Sequence, residues 1–168
     1  CPCGDYHPVA RHNRCTCSEV RRRDYRRKLS GPIVDRIDIT RHLLPVQPWE
    51  LRDRFSVPEP SAAVRERVAA ARQRQDDRYA GQSWRLNAHA PGPELLREWP
   101  LTDAAQQRVD ERLYGGRLSR RGATRVHRLA WTVADLRGVP RPDVAETDIA
   151  LRLRAGDPLE LASLRRVG

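Results

Sequence analysis

From Ser61 onward, apolar residues recur every three to four positions, a spacing that predicts helices. The best-patterned one follows Ser119, a predicted N-cap. Val126, Leu129, Ala130, Val133 and Leu136 share its inner face, and Gly138-Val139-Pro140 closes it. Ser61 is predicted to cap a helix running to Tyr79 and ended by Gly81, with Val64, Val68 and Ala71 at i, i+4 and i+7. After a loop over 82–91, Glu94–Trp99 reads as a short helix between Pro93 and Pro100. Thr102 caps another helix that Gly115-Gly116 terminates. Pro142 begins a last long helix through about Arg154, and Asp157–Arg166 reads as a short final one.

The first quarter of the chain reads differently. Ser18 caps a helix-compatible run from Glu19 to Lys28, which Leu29-Ser30-Gly31-Pro32 stops. Ile37 and Ile39 alternate with polar residues, predicting a short strand from Ile37 to about Leu44. Pro45, Pro48, Pro58 and Pro60 then mark a linker with one helical turn around Trp49-Glu50-Leu51. There are no internal repeats. The expected fold is mainly α, a helical bundle over 47–168 preceded by a short Cys-rich α/β piece over 1–46.

Composition narrows this picture. The chain has 168 residues, one Phe and no Met, so the core must come from Leu, Val, Ile and Ala. The missing Met also implies a piece of a longer protein or a processed product. Basic residues number 32 against 22 acidic, for a net charge of +10. Lys28 is the only lysine, an arginine bias that a GC-rich genome also produces. Half of the basic excess lies in residues 1–42, and basic surfaces favour phosphate-bearing partners. No apolar run nears the roughly 20 residues that span a bilayer, and no signal peptide is visible, which argues against membrane and secreted classes.

All four cysteines fall in the first 17 residues, as Cys1-Pro-Cys3 and Cys15-Thr-Cys17. Two tight pairs joined by a loop can give four thiolates to one tetrahedral Zn²⁺, and His7 or His12 could replace a cysteine. Four free thiols and two disulfides are the alternatives. Disulfides suit an oxidising compartment, for which the chain carries no signal. The arginine clusters Arg21-Arg22-Arg23 and Arg26-Arg27-Lys28 flank Tyr25, whose ring offers a stacking face. Arg22, Arg23, Arg26 and Arg27 are therefore candidate DNA contacts, unless the run faces a neighbouring subunit or solvent. Trp49, Trp84, Trp99 and Trp131 read as packing residues. His42, His89 and His127 form no constellation with a serine or carboxylate, so no hydrolase site is expected.

Several of these motifs carry a resemblance. Cys1-Pro-Cys3-Gly4, Cys15-x-Cys17 and Leu29-Ser30-Gly31-Pro32-Ile33-Val34-Asp35-Arg36-Ile37-Asp38 together resemble the magnesium-chelatase-like AAA+ ATPases of the ComM/YifB branch. Leu118-Ser119-x-Arg121, followed by Val133-Ala134-Asp135-Leu136, resembles that family's C-terminal helical domain, and the segment from Ser61 to Val68 resembles its Arg/Glu-rich helix. The likeness extends from residue 1 to about 153. It implies that 1–46 end the ATPase core and 47–168 form the helical lid. It also implies a cytoplasmic, ring-forming longer protein, a hexamer, that uses ATP and Mg²⁺ to drive a DNA helicase or branch-migration motor. The phosphate-binding loop and the acidic Mg²⁺ motif would lie upstream, and neither occurs in this chain, which alone should not hydrolyse ATP. Two rivals are a zinc-stapled basic module that binds nucleic acid by itself and the lid of a metal-insertion ATPase.

The resemblance also assigns two arginines. Arg36 matches the place of an arginine finger, which stabilises phosphoryl charge in a neighbour's site, with Ile33, Val34 and Ile37 expected to anchor it. Arg121 matches the lid arginine that reaches back to the nucleotide. On a helix Arg121, Arg125 and Arg128 form one stripe, off the apolar face, and a helix N-terminus favours anions. The bland alternatives are a surface arginine paired with Asp35 or Asp38, and three arginines on a solvated face.

Overall fold

The computed structural model describes residues 1–6, 13–41 and 59–159. These contain seven helices and no strand: α1 (Glu19–Arg27), α2 (Gly31–Val34), α3 (Ser61–Arg78), α4 (Gly92–Glu98), α5 (Asp103–Tyr114), α6 (Arg120–Arg137) and α7 (Val144–Ala155). The chain divides into two compact units. One contains residues 1–37, and the other residues 38–41 together with the segment from 58 onward.

Helix boundaries follow local chemistry. The Ser18, Thr102 and Ser119 side chains each accept a hydrogen bond from the backbone N–H three residues on, as their sequence positions predict. Gly138 closes α6 in the left-handed conformation, at φ 73°, which a side chain would strain. Two predicted starts move. Pro60 caps α3 and Ser61 is already helical, while α7 begins at Val144 behind Asp143, whose backbone N–H bonds the Glu146 carboxylate at 3.0 Å. The helical turn near Trp49 and the body of the segment Asp157–Arg166 lie outside the described residues.

The predicted strand does not form over residues 37–41. A strand needs a partner ladder, and among the described residues none lies beside this segment. The Thr40 N–H instead donates to the Leu153 carbonyl at 2.9 Å, at the end of α7. Arg41 donates to the carbonyls of Asp157 and Leu159. The described part of the first unit is thus two short helices and a cysteine-bearing segment rather than an α/β layer.

In the second unit α6 is the central element, packed against α3, α4, α5 and α7. One apolar cluster joins Leu101, Ala105, Val109, Val126, Ala130 and Ala150, and another joins Val133, Ile149, Leu153 and Leu159. Burying each Val, Leu or Ile contributes roughly 1.5–3 kcal/mol. A third gathers Tyr79, Ala90, Leu95 and Trp131, with Trp84 and Trp99 packed against them, as expected of packing tryptophans. The α3 stripe behaves less simply. Val64 and Val68 are exposed, and the helix docks through Ala71, Gln75 and Arg78 farther along the same face. No helix among the described residues is long and apolar enough to cross a membrane.

Candidate functional site

The loop between the cysteine pairs brings all four thiols together, with every Sγ within 4.8 Å of the others. The Cys1–Cys3 sulfurs are 3.2 Å apart, and Cys15 lies 3.6 Å from each. These separations exceed a disulfide bond of about 2.05 Å, and all four cysteines are free. The Asp5 backbone N–H holds the Cys3 thiol below its ordinary value, against some desolvation and with help from the Cys15 and Cys17 thiols. At Cys17 the backbone N–H of Cys3 acts in the same sense. Burial and the Cys3 and Cys15 thiols outweigh it, and that thiol is raised. His7 and His12 lie outside the described residues.

Helix α1 follows directly. It buries no residue, so all of its apolar side chains face outward. Arg22 stands over the Tyr6 ring, 4.6 Å from its centroid, and its Nη1 donates to the Cys17 carbonyl at 3.2 Å. That guanidinium therefore belongs to the cysteine segment rather than to an open basic face. Arg23, Arg26 and Arg27 are exposed, with Arg27 loosely paired to Asp24 at 3.8 Å.

Arg36 follows the short helix α2, exposed, with its Nη1 donating to the Pro32 carbonyl at 3.3 Å. Among the described residues of this unit, the apolar side chains expected to anchor Arg36 are not buried. Ile33, Val34 and Ile37 are 45%, 49% and 41% exposed.

In the second unit the arginine stripe of α6 separates by role. Arg125 pairs with Asp38, and Arg128 Nε donates to the Ala90 carbonyl at 3.0 Å. Arg121 is exposed in the first turn, and its side chain makes no hydrogen bond or ion pair among the described residues. Gly122 beside it allows a close approach: a Cβ there would meet the Arg154 guanidinium at 3.2 Å and a Leu118 methyl at 2.8 Å. Guanidinium charge is thus concentrated at the positive end of a helix dipole, an arrangement that attracts anions.

A buried polar network escaped the sequence reading. Asp135 is fully buried and forms an ion pair with Arg78, whose guanidinium lies 4.0 Å from the centroid of the Trp131 ring. Asn87 Nδ2 donates to Asp135 Oδ2 at 2.9 Å, and Asn87 Oδ1 accepts from Tyr79 and Arg78. Arg74 donates to the Asp135 carbonyl at 2.8 Å. This network joins α3 to α6 in place of the valines.

His127 is buried as well, its Nε2 donating to the Trp99 carbonyl at 2.8 Å beside the Trp131 indole N–H at 2.9 Å. Burial pushes its pKa below the ordinary value, against the pull of the Trp99 carbonyl. The unfolded chain then binds a proton first as pH falls, so the contribution of His127 to stability is fully present above about pH 6.5 and declines below it. His127→Gln keeps a donor and removes the titration. Its thermal midpoint is expected to fall less between pH 7.5 and 5.5 than that of the wild type. Parallel declines in the two proteins would refute this.

Comparison with known proteins agrees with this architecture. Residues 58–154 match the family model for the magnesium chelatase subunit ChlI C-terminal region, and residues 1–51 match that for magnesium chelatase subunit ChlI. The chain belongs to the magnesium chelatase ChlI family, and its helical second unit is the lid domain of that family. Its relatives place it with the ComM/YifB-like members. It is 38% identical to protein Rv2897c of Mycobacterium tuberculosis over 92% of this chain and 29% of that protein. It is 35% identical to YifB of Escherichia coli over 80% of this chain and 25% of that protein. Competence protein ComM of Haemophilus influenzae is 32% identical over 86% of this chain and 28% of its own length. The chain thus spans under a third of the relatives it matches.

Proposed function

We propose that this chain is the nucleotide-responsive end of a ring-forming ATPase, with residues 1–46 ending the ATPase core and 47–168 forming the lid. In this reading ATP and Mg²⁺ are held upstream, Arg121 reaches the nucleotide of its own subunit, and Arg36 acts in the site of the next subunit of a hexameric ring. The longer protein acts on DNA as a helicase or branch-migration motor. Exposed Arg23, Arg26 and Arg27 around Tyr25 support DNA as the substrate, as does relation to a protein named for competence. Arg22, tied to Tyr6 and the Cys17 carbonyl, contributes less than its neighbours.

One observation carries this reading. Arg121 is the member of its stripe that is exposed at a helix N-terminus without a partner among the described residues, whereas Arg125 and Arg128 are engaged in structure. Hydrogen bonds to charged groups contribute about 1.5–3 kcal/mol, so Arg121→Ala in the full-length protein is expected to weaken ATP binding roughly 10–150-fold. Its folding stability should change by no more than about 0.5 kcal/mol, as for an exposed substitution. Unchanged ATP affinity in a nucleotide titration would show that Arg121 is a solvated surface residue.

A further inference from the structure

We propose that Cys1, Cys3, Cys15 and Cys17 hold one structural Zn²⁺ as a four-thiolate site that fastens the first residues of the chain to α1. A Zn–S distance of about 2.3 Å gives a tetrahedron whose edges are about 3.8 Å. The three edges among Cys1, Cys3 and Cys15, of 3.2, 3.6 and 3.6 Å, are close to that figure, and Cys17 completes the set with all sulfurs within 4.8 Å. Four thiols, weak hydrogen-bond donors, supply little cohesion of their own. The described residues 1–6 and 13–17 carry no helix or strand, and of them only Cys17 is buried. A segment with so little core gains its order from a staple, and a structural zinc supplies folding free energy directly.

The surroundings suit the charge of such a site. Four thiolates around Zn²⁺ are dianionic. The Tyr6 backbone N–H donates to Cys1 Sγ at 3.3 Å, which draws off part of that charge. The Arg22 guanidinium, over the Tyr6 ring and bonded to the Cys17 carbonyl, places a fixed cation beside the cluster and links it to the first turn of α1. Soft thiolates in a tetrahedron select Zn²⁺ or iron. The compact sulfur set fits a single ion, whereas an iron–sulfur cluster sets several metal atoms between its cysteines.

The test uses the full-length protein, purified without chelators and without a metal-affinity column. Elemental analysis is expected to find about one zinc per chain, and titration with an organomercurial to release it as four thiols react. Replacement by Co²⁺ should give the thiolate charge-transfer and tetrahedral ligand-field bands. Cys3→Ser and Cys15→Ser should lower zinc affinity by more than the about 10–100-fold that even an outer-shell change costs. The mercurial titration needs no variant, so a misfolded Cys→Ser protein leaves the proposal open to refutation. Less than about a tenth of an equivalent of zinc, with four thiols reacting at once, would overturn it. So would stoichiometric iron, or full zinc retention in the serine variants.

Discussion

Arg36→Ala in the assembled full-length protein is expected to leave ATP binding nearly intact and to lower hydrolysis about 10³–10⁵-fold. That range is what an arginine supplied to a phosphoryl-transfer site contributes, roughly 4–7 kcal/mol of barrier. An exposed ion pair contributes at most about 1 kcal/mol, so magnitude alone separates a finger from a surface arginine. Arg36 is exposed, as action on another subunit requires. Mixing sharpens the test. In the proposed ring, Arg36→Ala subunits and subunits lacking an upstream phosphate-loop lysine are each expected to be inactive alone, whereas a mixed ring would contain interfaces where an intact loop meets an intact arginine. Partial recovery on mixing supports action in trans. Near-wild-type turnover of Arg36→Ala would reduce Arg36 to a surface residue.

Asp135→Ala should produce the largest loss of folding stability, about 3–5 kcal/mol. The substitution leaves the Arg78 guanidinium, 11% exposed, without its counter-charge, and removes an acceptor from Asn87 Nδ2. A domain of this kind has only about 5–15 kcal/mol in total, so the variant approaches unfolding at ordinary temperature. Asp135→Asn preserves shape and one acceptor oxygen and should cost less. Urea unfolding followed by helical circular dichroism measures both. A loss under about 1 kcal/mol for Asp135→Ala would mean that water reaches the pair and screens it.

This network marks where the sequence was legible and where it was not. Caps at Ser18, Thr102 and Ser119 and the glycine stop at Gly138 were readable because each acts over a few residues. The cysteine pairs were readable for the same reason, with zinc favoured and free thiols and disulfides as the alternatives. Asp135, Asn87 and Arg78 were not, since polar residues pattern as surface until distant partners meet, and Arg78 and Asp135 are 57 residues apart in sequence. The pairing of Arg125 with Asp38, across 87 residues, is illegible on the same ground. The strand expected from Ile37 to about Leu44 does not form over the described residues 37–41 for a different reason: alternation describes one strand, but a strand exists only beside another. Val64 and Val68 show that a periodic apolar face can be correct in direction and still extend beyond the body it docks on.

The 18 residues of α6 span about 27 Å, with Arg121 in the first turn and Asp135 near the last. Near its far end the helix is held by Arg78 and Arg74, and along its length by packing on four other helices. Its first turn is held as well, by the Ser119 cap and by Leu118 and Arg154 beside Gly122. In the proposed reading, a pull on the Arg121 guanidinium would be shared through α6 by the helices packed on it, α3, α4, α5 and α7.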